Sequence, residues 1–225
     1  MVASSRMAEF SIEQARDFYD RFGRKQDWQA FYENPATQAL LDHGAFADAH
    51  RVIEFGCGTG RFARCLLRDY LPADASYLGV DVSRTMVQLA QRRLAPWAGR
   101  AEIRLSDGRT AIQEPDASAD RFVSTYVFDL LSTLQIEDVL RQAHRLLRPE
   151  GLLCLVSLTY GHSFLGRLVC SAWQSVHAYS PKIVGGCRPI DLTKFVGWGW
   201  RVSYLDTVSS FGITSQLLIA ARAES

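Results

Sequence analysis

Glu54, Gly56, Gly58 and Gly60 are the residues around which chemistry could first be organised. Glycines at alternate positions permit backbone angles that a side chain forbids, and they let a ligand come close to the main chain. They follow Val52, Ile53 and Phe55, which suit a buried parallel strand. A helix beginning near Gly60 would turn its N-terminal amides and positive dipole end toward whatever lies over the turn, so an anionic or carboxylate-bearing ligand is expected there. Glu54 is an acid inside an apolar run, and its burial is costly unless it is paired. Asp81 closes the next apolar run, Tyr77 to Asp81, at a place from which a carboxylate can accept both hydroxyls of a ribose. The plainer reading of Asp81 is an acid just before the helix cap Ser83.

Other side chains could hold or move a proton. Asp129, Tyr160, His162 and His177 are candidates, although none stands in a diagnostic motif and a structural role is the favoured reading of each taken singly. His162 and Asp129 are taken as the catalytic pair. Arg188, in the run Gly185 to Pro189, suits either an anionic substrate group or a loop-fastening hydrogen bond.

The elements that must position these residues follow from periodicity. Ile12, Ala15, Phe18, Tyr19 and Phe22 recur at helical spacing, with Ser11 as cap and Gly23 as stop. A second helix is expected to begin at Asn34-Pro35 and end near Gly44. Helices are then expected from Gly60 to before Pro72, from Ser83 to before Pro96, from Ile136 to Leu147, and from Ser163 to about His177, with a short one from Pro189 to Phe195. Strands are expected at 52–55, 77–81, 101–105, 120–125 and 152–158, the last apolar throughout and so central. A closing pair at 200–208 and 215–221 must run antiparallel, because its connection is short. Strands alternating with helices give an α/β fold: an open, mostly parallel sheet covered on both faces. With no repeat and no linker the chain reads as a single domain, 1–225. Its residues 1–45 form an aromatic-rich helical preface that could act as a lid, and 159–199 form an insert before the last two strands.

Composition narrows the classes. The chain has 225 residues, 48% hydrophobic and 22% charged, which suits a soluble domain with a sizeable core. A net charge of +1 and the lack of a basic patch speak against nucleic acid as a partner. Five scattered cysteines without a C-x-x-C pair argue for reduced thiols, no zinc site and a cytoplasmic setting. No apolar run approaches the ~20 residues of a membrane span. The amphipathic stretch from Ser163 could touch a membrane surface, but packing on the sheet edge is favoured.

Taken in order, the motifs resemble the class I S-adenosylmethionine-dependent methyltransferases: Glu54 to Gly60, Gly79 to Asp81, Ser106 to Gly108, Asp120 to Asp129, and Leu146 to Leu152. The resemblance implies a Rossmann-like seven-stranded sheet with an antiparallel C-terminal hairpin, and S-adenosylmethionine as cofactor. It further implies cofactor contacts at Tyr19, Glu54, Gly56, Cys57, Gly58, Gly60, Asp81, Val82, Met86, Asp107, Gly108, Thr125 and Tyr126. Within them Asp81 would hold the ribose, Asp107 the adenine amino group, and Met86 an adenine face. Thr125 and Tyr126 would face the methionine portion, and Tyr19 and Phe22 resemble an aromatic lid over that end. Phe22, Tyr126, Tyr160 and Arg188 are the expected substrate contacts. A nicotinamide fold is disfavoured, because Arg61 stands where close helix–strand packing needs a small residue.

Within that family the chain resembles the small-molecule branch that includes the quinone-biosynthesis C-methyltransferases. The Asn/Asp-Pro-Pro-Tyr tetrapeptide used on nucleobases and protein amides is replaced by Thr125 to Phe128. No metal-ligand set stands in the sequence. The aromatic preface and insert favour a small, apolar or aromatic acceptor, with the protein a monomer or homodimer. Two other classes stay open: a membrane-surface enzyme methylating a lipid headgroup nitrogen, and a non-catalytic cofactor-binding partner protein.

Overall fold

The computed structural model describes residues 12–23, 30–160, 187–197 and 199–223. The expected helix from Ser163, the cap Ser11 and His162 lie outside the described residues, as does the side chain of Phe22.

The chain runs α1 (Ile12–Phe22), α2 (Ala30–His43), β1 (Arg51–Phe55), α3 (Arg61–Cys65), β2 (Ser76–Asp81), α4 (Arg84–Leu94), β3 (Ala101–Leu105), β4 (Ala119–Thr125), α5 (Thr133–Leu146), β5 (Leu147–Leu158), β6 (Trp200–Ser210) and β7 (Ile213–Arg222). One seven-stranded sheet is ordered β3-β2-β1-β4-β5-β7-β6. The first five strands pair in parallel. Strand β7 runs antiparallel to both β5 and β6. This is the expected α/β architecture with its C-terminal hairpin. Phe211 and Gly212 close that hairpin, both at positive φ (52° and 82°), as a two-residue turn matching the strand twist requires.

Successive residues of β1 and β4 feed opposite cores, as the period of two demands. Val52 and Val123 face a cluster with Leu40, Leu66 and Ala90. Ile53 and Phe122 face a second cluster with Ile136, Val139 and Leu146 of α5. A sheet buried on both faces explains why these strands read as continuous apolar runs.

Several boundaries differ from expectation. Helix α2 starts at Ala30, not Asn34, and Pro35 lies inside it. Proline removes an amide donor from a helix interior, so the carbonyl one turn before Pro35 loses its helical partner. The helix after Gly60 widens into a π turn at Leu66–Tyr70. Arg100 takes up the carbonyl of Leu67 there, at 2.7 Å. Helix α5 begins earlier than expected, because Ser132 and Gln135 form a reciprocal capping box. Residues Leu192–Lys194 form a 3-10 turn where a short helix from Pro189 was expected.

Candidate active site

The carboxyl ends of β1, β2 and β4 meet at two adjoining hollows. The first, of about 110 Å³, is lined by Tyr19, Gly56, Gly58, Asp81, Val82, Met86, Ser106, Gly108, Thr125 and Tyr126, with Gln135, Leu130 and Leu131 at its far side. The second, a cleft of about 610 Å³, lies between α2 and α3 and is lined by Glu33, Asn34, Glu54, Cys57, Gly58, Arg61 and Arg64. Gly56, Gly58, Thr125 and Tyr126 border both.

The glycine turn is built to leave backbone bare. Gly56, Gly58 and Gly60 have φ of 78°, 50° and 72°. A Cβ at Gly56 would collide with Cγ2 of Val127, and one at Gly60 would lie 3.1 Å from Cα of Ala90 in α4. The amides of Gly56 and Cys57 both donate to the Val80 carbonyl, at 2.8 and 3.1 Å, which fastens the turn to β2.

Asp81 holds the turn from the other side. Its Oδ2 accepts from the Gly58 amide at 2.8 Å and its Oδ1 from the Ser83 amide at 2.9 Å. Burial pushes its carboxyl up to about 6, opposed by those amide bonds. Because Asp81 also borders the open cavity, solvent reaches it and the ionised form prevails at neutral pH.

Glu54 is 1% exposed. Its Oε2 accepts from the Tyr77 hydroxyl at 2.5 Å. Burial raises its carboxyl to about 8; the Tyr77 bond opposes the rise and the charge of Asp81 adds to it. Arg61 does not obstruct α3: its guanidinium reaches across the cleft to Asn34 and to Glu33 (3.2 Å).

Tyr126 has φ of 56°, uncommon for a residue with a side chain and costly to hold. Its amide donates to the Val156 carbonyl at 2.8 Å, and its hydroxyl shares a hydrogen bond with Ser215 at 2.9 Å. Those partners fix the ring between the two hollows.

Other expected residues are placed differently. Asp107 is exposed; its Oδ1 accepts from the Arg109 amide at 2.9 Å, and it lines neither hollow, whereas its neighbours Ser106 and Gly108 line the first. Asp129 is 0% exposed and also lines neither. Neither of its oxygens accepts from an N–H or O–H among the described residues. Burial raises its carboxyl to about 7, offset by its own backbone amide, by a weak interaction with the Cys187 thiol and by the charge of Arg188. Arg188 is a loop fastener: its guanidinium donates to the Leu131 carbonyl at 2.7 Å and its amide to the Asp129 carbonyl at 2.9 Å. Tyr160, at the end of β5, is 44% exposed and lines neither hollow.

Sequence reasoning missed Gln135, Tyr77 and Cys187. The first could have been found from its capping spacing to Ser132. The other two have no local signal: Tyr77 reads as a plain strand residue, and Cys187 reaches Asp129 and Tyr19 only through the fold.

Comparison with known proteins agrees with this geometry. Residues 52–151 match the family model described as a methyltransferase domain. A malonyl-[acyl-carrier protein] O-methyltransferase of Halorhodospira halophila is 31% identical over 166 residues, 72% of this chain and 52% of that protein. A ubiquinone/menaquinone biosynthesis C-methyltransferase of Geotalea uraniireducens is 28% identical over 140 residues, 60% of this chain and 54% of that protein. The chain spans about half the length of these curated relatives. Among solved structures, the [4+2]-cyclase SpnF superposes with a TM-score of 0.73 at 14% identity, covering 98% of this chain and 100% of that one. Identity so low shows a shared fold and nothing of the reaction.

The glycine turn and Asp81 both lie within the segment similar to a methyltransferase domain, and the cofactor that such a domain implies is S-adenosylmethionine. The residues present fit that cofactor: bare glycine backbone, a carboxylate at the tip of β2, and a buried acid beneath the turn with no cation paired to it among the described residues. Among the described residues no helix is long and apolar enough to cross a membrane.

Proposed function

We propose that this protein transfers a methyl group from S-adenosylmethionine to a small molecule, apolar or aromatic in character. The observation that carries the reading is Asp81, which braces the glycine turn through Gly58 while bordering the first cavity. When bound, the cofactor supplies a methyl group already activated by its sulfonium. The protein's work is then to bind, align and exclude water.

In this reading Asp81 holds the ribose, Val82 and Met86 flank the adenine with Ser106 and Gly108 at its edge, and the amino-acid tail crosses Gly56 and Gly58 toward Glu54 and Cys57. Thr125 and Tyr126 stand at the junction of the hollows, where the accepting atom would be aligned. Helix α1 acts as a lid through Tyr19; Phe22 and Tyr160 are proposed as substrate contacts, Tyr160 from outside the two hollows. The named relatives act on an acyl-carrier-bound malonyl group and in quinone biosynthesis, which supports a metabolite acceptor without choosing between O- and C-methylation. If the accepting atom carries a proton, His162 and Asp129 are the proposed acceptors. Asp129 would act from outside the cavities, through Cys187 and Tyr19.

Calorimetry with S-adenosylmethionine should show one-site binding that Asp81→Ala weakens by about 10- to 100-fold, the loss of one or two hydrogen bonds to a charged group. A metabolite screen with labelled cofactor should then transfer label to a small organic acceptor. Unchanged affinity in Asp81→Ala would overturn the placement of the ribose.

A further inference from the structure

Strand β6 ends the sheet, and among the described residues nothing pairs with its outer side. An edge strand offers its unused amides and carbonyls to another chain unless it is short or blunted, commonly by proline or lysine. This one is 11 residues long and contains neither. Val202 and Leu205 stand on it 41% and 48% exposed.

A bulge decides which way its side chains face. Pairing with β7 sets Arg201 opposite Ala221 and Val202 opposite Ala220, skips Ser203, and resumes with Tyr204 opposite Ile219, Leu205 opposite Leu218 and Asp206 opposite Leu217. Opposed residues of a ladder share a face, and residues two apart in β7 do so too. Arg201, Tyr204 and Asp206 therefore lie on one face, where the Tyr204 ring stacks on His43 of α2 with centroids 4.1 Å apart. Val202 and Leu205 lie on the other. Without the extra residue each of these pairs would be split between the two faces. The run from Arg201 to Asp206 thus reads the same from either end: charge, apolar, centre, apolar, opposite charge. The fold does not use up the charges. Both are exposed, and neither stands in an ion pair among the described residues. Oδ1 of Asp206 accepts from the Thr207 amide at 2.7 Å, which leaves Oδ2 with only a long contact, 3.4 Å, to the Tyr204 hydroxyl.

We propose that β6 is a homodimer interface, through which a second copy of this chain adds its own β6 antiparallel, about a two-fold axis that passes between Ser203 and Tyr204 perpendicular to the sheet. This register sets Arg201 of each copy opposite Asp206 of the other, and Val202 of each opposite Leu205 of the other. One rotation makes both ion pairs and both apolar pairs, as a self-complementary contact requires. A slip of one residue would set Val202 against Asp206 or Arg201 against Leu205 and lose both kinds of pair together. The two sheets would join into one. Strands β5 and β7 separate β6 from β4, so the hollows of each copy stay open, and the proposal does not depend on the cofactor reading.

Sedimentation equilibrium of the full chain tests it. The wild-type protein should be dimeric at about 10 μM. Arg201→Glu and Asp206→Arg each set like charges face to face at two symmetry-related places. Either should weaken the dimer about 10- to 30-fold. An equimolar mixture of the two variants should recover the wild-type affinity, because each brings the charge that the other lacks, and so should the double variant. Leu205→Asp should weaken the dimer in a way that no charge reversal at position 201 or 206 repairs fully. All three positions are exposed, and circular dichroism of each variant checks that its fold is kept. A wild-type protein still monomeric at about 100 μM would overturn the proposal. So would dimers of wild-type strength in both charge reversals, or a mixture that associates no better than either variant alone.

Discussion

The Ser83 hydroxyl donates to Oδ1 of Asp20 over 2.5 Å, tying α1 to the N-terminus of α4. The same Asp20 oxygen accepts from the Thr85 amide at 3.0 Å, and the Thr85 hydroxyl returns a bond to the Asp20 carbonyl at 3.2 Å. Ser83 meanwhile gives its own amide to Asp81. One residue thus links α1 to the carboxylate proposed to hold the ribose. Burial pushes Asp20 up, but its bonds to Ser83 and Thr85 and the charge of Arg16 outweigh that and hold it below the usual carboxylate range. Its contribution is therefore complete above the unfolded pKa and lost as pH falls through the lowered folded one. An acid at a helix N-terminus is worth about 0.3–1 kcal/mol. Asp20→Ala should lower the melting temperature by no more than about 4 °C at neutral pH. It should also weaken cofactor binding about fivefold, since about 1 kcal/mol of ordering is no longer prepaid. Hydrogen exchange checks the cause: amides of 12–23 should exchange faster in the variant, with those of β1 and β4 unchanged.

Gly56 is held at φ 78° with Val127 packed over the place a Cβ would occupy. Two separate costs therefore face Gly56→Ala: about 1–2 kcal/mol for a left-handed alanine and a collision on top of it. Adding Val127→Ala should relieve the collision but not the backbone cost. Chemical denaturation of the single and double variants should accordingly show partial recovery, and full recovery would mean that sterics alone dictate glycine here.

The glycine turn, Asp81 and the strand order of chemistry-bearing loops were legible in the sequence because each depends on neighbours in the chain. Alternating apolar residues mark β1 and β2, and glycine meets the left-handed angles between β1 and α3 at the least cost. Asp107 shows what such local reading leaves out. Its side chain closes a turn with the Arg109 amide, the competition an aspartate in a loop commonly wins over distant partners. Pro35 misled in the same way: it looks like a helix start, yet α2 begins at Ala30 and runs through it. Asp20, Tyr77 and Cys187 carried no signal at all, since their partners are brought close only by the sheet.

Arg121 is the clearest such long-range strut. It is 6% exposed in β4 and donates to the carbonyls of Gly44 (2.7 Å), Asp120 (2.9 Å) and Ala45. Two of those carbonyls follow the C-terminus of α2, where a cation complements the helix dipole. No carboxylate among the described residues forms an ion pair with it, so the carbonyls alone stabilise the charge. Arg121→Met removes the donors and leaves buried carbonyls unsatisfied, at about 3 kcal/mol or more. A fall in melting temperature of about 6–12 °C is expected. Arg121→Lys keeps the charge but loses the planar fork, and should fall between the two. Scanning calorimetry of the three proteins gives the order directly.

Asp129 poses a question that pH can answer. Its folded carboxyl is raised to about 7, with burial the leading cause and the Arg188 charge and Cys187 thiol opposing it. The charge of Asp129 is felt in turn by Tyr126 and Cys187. Between the unfolded value of about 4 and this raised value, the folded protein holds a proton that the unfolded chain has lost. Stability must therefore fall as pH rises through that window, and the penalty is complete above about 7. Asp129→Asn removes the titration while keeping the shape. The variant should be close to wild type near pH 4, progressively more stable than wild type up to about pH 7, and level above that, read as denaturant midpoints across that range. A difference that stays flat with pH would mean that Asp129 is charged throughout. Kinetics separates structure from catalysis. If Asp129 also accepts a proton during turnover, the wild-type kcat/KM should decline as pH drops below about 7, and that limb should vanish in Asp129→Asn. If it only supports Cys187 and the Arg188 loop, the limb should survive the substitution with kcat little changed.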